Sequence, residues 1–214
     1  MSKQIIPAGE TRTEMRVSNS RFITTITPVF SVEEAREFIS RIKAEFNDAA
    51  HNVPAFIIGH GSSVITHCSD NGEPSGTAGR PALAVLQGSG LGDVVVVVTR
   101  YFGGTKLGTG GLVRAYGDGV RQVLGKVARA EKVPTYLVSI KVPYNLFEQT
   151  RLMVVSHDGL VKDENFVAEV EITAQFRVDG FPAFHDALRE LSHGQISASV
   201  ILQNDQTIMP LSQG

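Results

Sequence analysis

Thiols are almost missing from this chain. Cys68 is its single cysteine, which excludes an intramolecular disulfide and any zinc site built on several thiolates. The six histidines show neither His-x-x-x-His nor His-Glu-x-x-His spacing, so no metal site and no cofactor is expected. His67 and Cys68 are neighbours in a strand-like segment and point to opposite faces, which removes them as a nucleophile and its base. Long apolar runs are missing too. The run Val94 to Val98 is far short of a membrane span. Residues 1–12 carry no apolar stretch of the secretory type. No repeat of fixed period and no low-complexity segment appears. The formal net charge of −2 points neither to nucleic acid nor to a membrane. What remains is a cytoplasmic protein. Its 214 residues, 42 % apolar and 20 % charged, suffice for one large packed domain or two small ones.

Charge is unevenly spread. Residues 1–134 hold fifteen Lys/Arg against twelve Asp/Glu, and residues 135–214 hold five against ten. Between positions 100 and 129, six cations face Asp118 alone. Such asymmetry can mark an anion-binding half beside an acidic one; ordinary surface scatter is the competing reading.

Periodicity divides the chain the same way. Residues 13–17 and 21–27 alternate around Ser18-Asn19-Ser20 and read as a hairpin. Ser31 and Glu34 form a capping box for a helix whose apolar face runs from Val32 to Phe46. Short strands follow at 55–58 and 64–67, then a polar Gly-rich loop at 69–80 and a helix at 81–87. The strand 93–100 carries five consecutive valines, which suggests that both of its faces are covered. A helix is expected from Leu112. Its Gly117 and Gly119 are unfavourable in a helix and suggest close approach by another element. Pro134 marks a boundary. Beyond it, strand 136–142, helix 146–156, strands 160–162 and 167–177, helix 182–192 and strand 196–202 follow the β-α-β-β-α-β order of a ferredoxin-like domain. The expected units are 1–134 and 135–214, and the expected class is α+β.

The chemistry gathers in the centre. Gly103, Gly104, Gly108, Gly110 and Gly111 fall between a strand and a helix. Glycine admits close approach to the main chain, and a helix N-terminus attracts anions. Arg80, Arg100, Lys106 and Arg114 could supply full charges around Gly108, Thr109, Gly110 and Gly111. The spacing fits neither a Walker A loop, because Thr109 stands where lysine is required, nor a dinucleotide fingerprint, because position 113 is valine. A tight crossover between strand and helix explains the glycines equally well. Tyr101 and Phe102 beside Arg100 could stack on bases, or pack inward and shield the strand end. Asp70 and Glu73 are candidates for general acid–base work. The alternative is that they cap the loop and pair with Arg80 or Arg100.

The run Ser69–Pro81 (SDNGEPSGTAGRP), the segment 98–104 (VTRYFGG) and residues 107–116 (LGTGGLVRAY) together resemble the IMPACT family, and within it the bacterial branch. Ser20-Arg21-Phe22 resembles the family's segment near the N-terminus. The resemblance runs from about residue 5 to residue 205. It implies a ribosomal protein S5 domain 2-like first domain, with helices on one side of a sheet. It implies a ferredoxin-like second domain similar to the last domain of elongation factor G. Residues 50–53 keep only His51 where many relatives carry an Arg-His-His-Cys segment. Three functions are compatible with these features. One is a non-catalytic regulator of translation or stress response that binds RNA or the ribosome through the basic loop. The second is an adaptor whose acidic C-terminal half recruits a protein. The third is an enzyme acting on a phosphorylated small molecule with Asp70 or Glu73.

Overall fold

A computed structural model describes residues 3–61 and 63–211. The chain divides into two compact units between Glu131 and Lys132. Strand β1 (Ile5–Pro7) is followed by the hairpin β2 (Thr11–Val17) and β3 (Ser20–Pro28), helix α1 (Val32–Glu45), strands β4 (His51–Ile58) and β5 (Ile65–Cys68), helix α2 (Gly79–Gln87), strand β6 (Val94–Tyr101) and helix α3 (Gly108–Leu124). The sheet order is β2-β3-β6-β4-β5, with β6 antiparallel to both neighbours.

The valine run explains why β6 lies in the middle. Val95 and Val97 pack with Phe38, Ile39 and Ile42 of α1. Val94, Val96 and Val98 pack with Ala82 and Leu86 of α2 and with Leu112, Tyr116 and Val120 of α3. Successive side chains leave a strand on opposite faces, so helices cover both sides of this sheet. The expectation of helices on one side is thereby corrected. Ser31 caps α1 by accepting from the Glu34 amide at 3.0 Å, and the Glu34 carboxylate accepts from the Phe30 amide at 2.8 Å. Gly119 lies where a Cβ would come within 2.8 Å of the Thr24 hydroxyl. That is the close approach its place inside a helix suggested.

Strand β7 (Arg129–Val142) runs through Pro134 without interruption, so the expected boundary residue sits inside a strand. The second unit continues with a 3₁₀ turn (Tyr144–Leu146), α4 (Phe147–Ser156), β8 (Leu160–Phe166), β9 (Val170–Arg177), α5 (Phe181–Leu191) and β10 (Ala198–Pro210). Four strands of this sheet pair in the order β10-β7-β9-β8, the ferredoxin-like arrangement, and β1 also pairs with residues 129–131 at the start of β7. Residues 167–169 form a turn rather than the start of a long strand. The turn carries no glycine or proline to announce it. Alternate residues of β7 and β9, from Val138 to Phe176, bury against Val154, Phe184 and Leu188. Among the described residues, no helix is long and apolar enough to cross a membrane.

Candidate functional site

Arg100 stands near the end of β6, opposite Phe22 of β3 and His51 of β4. Its side chain is buried, only 4 % exposed. Nη1 donates to Glu73 Oε1 at 2.6 Å, and Nη2 donates to the Ser20 hydroxyl at 3.3 Å. Phe22 and Phe102 lie 5.6 and 5.5 Å from its guanidinium carbon. Glu73, equally buried, also accepts from the Tyr116 hydroxyl at 2.7 Å. Burial first, and then the bond to this carboxylate, push the Tyr116 hydroxyl far above its ordinary pKa. His51 Nδ1 lies 2.8 Å from the Asn71 carbonyl, which can only accept, so Nδ1 carries the proton. His51 Nε2 then faces Glu73 Oε2 at 3.7 Å. Arg100 is therefore committed to an internal ion pair and is withdrawn from the cations available to an outside ligand. Glu73 is the centre of that pair, tying the 69–78 loop to β6 and α3, and presents no free carboxylate.

Asp70 has a second structural role. Its carboxylate accepts from the amides of Gly76 (2.8 Å), Ala78 (3.1 Å) and Gly79 (2.8 Å). It thus consumes the N–H groups that lead into α2. A Cβ at Gly79 would come within 2.8 Å of the Ser69 backbone, so glycine is required there. Partial burial works to raise the Asp70 pKa, but the three amides, with the charge of Arg80, outweigh it and hold the carboxyl below its ordinary value. A group that ionises more readily when folded stabilises the protein fully above its unfolded pKa, about 3.9 for Asp. The contribution is lost as pH falls through the lower native value. Asp70→Asn keeps one acceptor but aims a donor at the Gly76 amide. It is expected to cost about 0.5–2 kcal/mol near neutral pH, the range for a lost helix cap. It should also flatten the loss of stability in acid, as read from urea midpoints of both proteins near neutral pH and in acid.

The N-terminus of α3 is different. The helix begins at Gly108, not at the expected Leu112, so Gly108, Thr109, Gly110 and Gly111 make its first turn. Leu107 at the cap position offers no side-chain bond. The amides of Gly108, Thr109 and Gly110 have no hydrogen-bond acceptor among the described residues, and all three residues are exposed. Arg114 Nε donates to the Gly110 carbonyl at 3.3 Å, which holds its guanidinium beside this turn. Lys106 is exposed in the preceding loop. That loop is anchored at Gly103, where a Cβ would fall 1.9 Å from the Asn19 carbonyl oxygen.

The expected residues thus separate into groups. Lys106, Gly108, Thr109, Gly110, Gly111 and Arg114 share one helix end. Tyr101 is engaged elsewhere, donating to Asp48 at 2.6 Å with Arg21 5.5 Å from its ring. Arg80 is exposed on the first turn of α2. Val85 of α2 lies beside Gly117 of α3, and Gly88 and Ser89 line one hollow with Arg121 and Leu124. The two helices therefore run in the same direction, and Arg80 faces the same end of the unit as the α3 first turn. Sequence reasoning missed Ser20, His51 and Tyr116 as members of the buried cluster. The one available signal was a tyrosine hydroxyl within an otherwise aliphatic stripe, which needs a partner when buried. Among the described residues no group of three or more His, Cys, Asp or Glu could hold a metal ion.

Comparison with known proteins follows the same division of the chain. Residues 18–124 match the Impact N-terminal domain, and residues 140–195 match a domain of unknown function, DUF1949. The chain is 35 % identical to the IMPACT family member YigZ of Escherichia coli (strain K12), over 94 % of this chain and 99 % of that protein. It is 36 % identical to the IMPACT family member YvyE of Bacillus subtilis (strain 168), over 85 % and 83 %. A crystal structure of a hypothetical protein, 34 % identical, superposes with a TM-score of 0.62 over 94 % of this chain and 98 % of the other. The two halves match in order, and the identity extends over nearly the whole length of the bacterial relatives: the chain belongs to the IMPACT family.

Proposed function

We propose that this protein is a non-catalytic regulator of translation or stress response that holds RNA phosphates, free or on the ribosome, at the first turn of α3. The observation that carries the reading is the contrast between two helix ends. The amides leading into α2 are consumed by Asp70, whereas those of Gly108, Thr109 and Gly110 are exposed and unbonded among the described residues. Unbonded amides at a helix N-terminus favour a phosphate oxygen, and the helix dipole adds to the attraction. Lys106 and Arg114 supply the full positive charge. A cytoplasmic location belongs to this reading. An enzymatic role would need Asp70 or Glu73 free for proton transfer, and both are engaged by internal donors.

The reading predicts binding of single-stranded RNA that weakens steeply with salt, by a log–log slope of about −0.7 per phosphate neutralised. Lys106→Ala and Arg114→Ala should each remove about one such increment, while Arg36→Ala on α1 leaves the slope unchanged. Thr109→Asp, which fills the turn with a carboxylate of its own, should abolish binding without loss of thermal stability. Fluorescence anisotropy of labelled RNA at several salt concentrations measures all four. Binding that ignores salt, or that survives Thr109→Asp, refutes the site. Absence of RNA binding transfers the function to a protein partner recruited by the acidic C-terminal half.

A further inference from the structure

Strand β10 is an unguarded sheet edge. It lies at one end of the order β10-β7-β9-β8, and residues 199–206 are exposed. Val200, Ile201 and Leu202 stand 49, 57 and 56 % exposed at its centre. An outer strand offers a row of unpaired N–H and C=O groups. Soluble proteins blunt such rows with charges, proline, bulges or short length. The outer strand at the far side of this sheet, β8, is blunted in that way. It carries Lys162, Asp163 and Glu164, and its register shifts between Val161 and Asp163. β10 has thirteen residues, no glycine or lysine, no proline before Pro210, and one charged residue, Asp205.

We infer that β10 is the pairing edge for a second copy of this chain, the two strands running antiparallel across a two-fold axis through Ile201. A bare strand edge accepts only another extended chain, because its main-chain groups must be matched. A two-fold pairing of like strands is self-complementary. In this register Ile201 faces Ile201 of the second copy, Val200 faces its Leu202, and Ser199 faces its Gln203. Asp205 falls opposite Ser197 of the other copy, so no two carboxylates meet. A shift that centres the axis on Asp205 would bring two carboxylates face to face, and like charges directly opposite disfavour that register. The apolar contacts this pairing makes, Ile201 on one face of the sheet and Val200 with Leu202 on the other, are few beside those of an obligate dimer, so the pairing is reversible and follows concentration.

Sedimentation equilibrium of the full chain over about 1–200 μM, a range in which mass action moves a weak dimer, tests this. The weight-average mass should climb from 23.1 kDa toward twice that value. Ile201→Lys should remain monomeric throughout with an unchanged far-UV spectrum. A second arm does not depend on that variant. In a Cys68→Ser background, Ile201→Cys should cross-link to a disulfide dimer under mild oxidation. Directly opposed residues of an antiparallel pair lie about 4.5–5.5 Å apart at Cα, within disulfide reach. Val167→Cys on the exposed β8–β9 turn serves as the control and should cross-link much more slowly. A wild-type mass that stays at the monomer value to the highest concentration overturns the inference. So does Ile201→Lys dimerising like the wild type, or cross-linking at position 201 no faster than at 167.

Discussion

Glu73→Ala is expected to lower the stability of the first unit by about 3–5 kcal/mol, the range for removing one partner of a buried ion pair. The loss comes mainly from what is left behind. Arg100 would keep a full positive charge at 4 % exposure between two phenylalanine rings. The Tyr116 hydroxyl would lose its acceptor in the same step. Phe22 and Tyr116 meet edge to face at 5.4 Å beside the emptied position. The same physics predicts a rescue. Removing both charges, as in Glu73→Leu with Arg100→Met, should recover most of the loss, since two apolar side chains carry no uncompensated charge. Urea unfolding of the single and double variants at neutral pH is the measurement. A single-variant loss below about 1 kcal/mol, the value typical of exposed pairs, would mean that the guanidinium reaches solvent and that the cluster is not a structural centre.

Phe176→Ala carries an effect of similar size in the second unit. Phe176 is 1 % exposed and stacks on Phe184 at a centroid distance of 4.3 Å. Gly159 admits the ring: a Cβ there would meet it at 2.4 Å. Truncating a buried phenylalanine removes its transfer free energy and leaves a cavity, together about 3–5 kcal/mol. Phe176→Leu keeps much of the volume and should cost clearly less. Urea midpoints followed by far-UV circular dichroism compare the two variants with the wild type. Equal losses for alanine and leucine would assign the effect to the aromatic contact instead of to packing volume.

Much of the framework follows from local patterns. The hairpin at 11–28, the capped helix α1 and the central valine strand could all be read directly, because each has its own period and its own end signals. The ends of elements were harder. α3 starts four residues earlier than its apolar stripe, because glycines contribute no side chain to a stripe yet can still occupy a first turn. β10 extends past Leu202 through Gln203, Asn204, Asp205 and Gln206, where pairing with β7 overrides low strand propensity. In the candidate site the capping role of Asp70 and the pairing of Glu73 with Arg80 or Arg100 were one of the readings the sequence offered, and the structure bears it out with Arg100; which cations stay free was not legible. Arg100, Lys106 and Arg114 look alike in sequence, yet the first is sealed inside while Arg114 lies over an open helix end.

By itself the sequence determined the α+β class, the two-part organisation, the central position of the valine strand and the family resemblance. All of these rest on local period or on contiguous motifs. Only the tertiary structure decided which charges are free. Whether a cation can meet a ligand depends on which carboxylate folds against it, and Glu73 lies twenty-seven positions from Arg100. The sequence offered Arg80 and Arg100 alike as partners for Glu73; which of them closes the pair was decided by the fold, because the low dielectric that makes it strong exists only once the surrounding rings have closed over it.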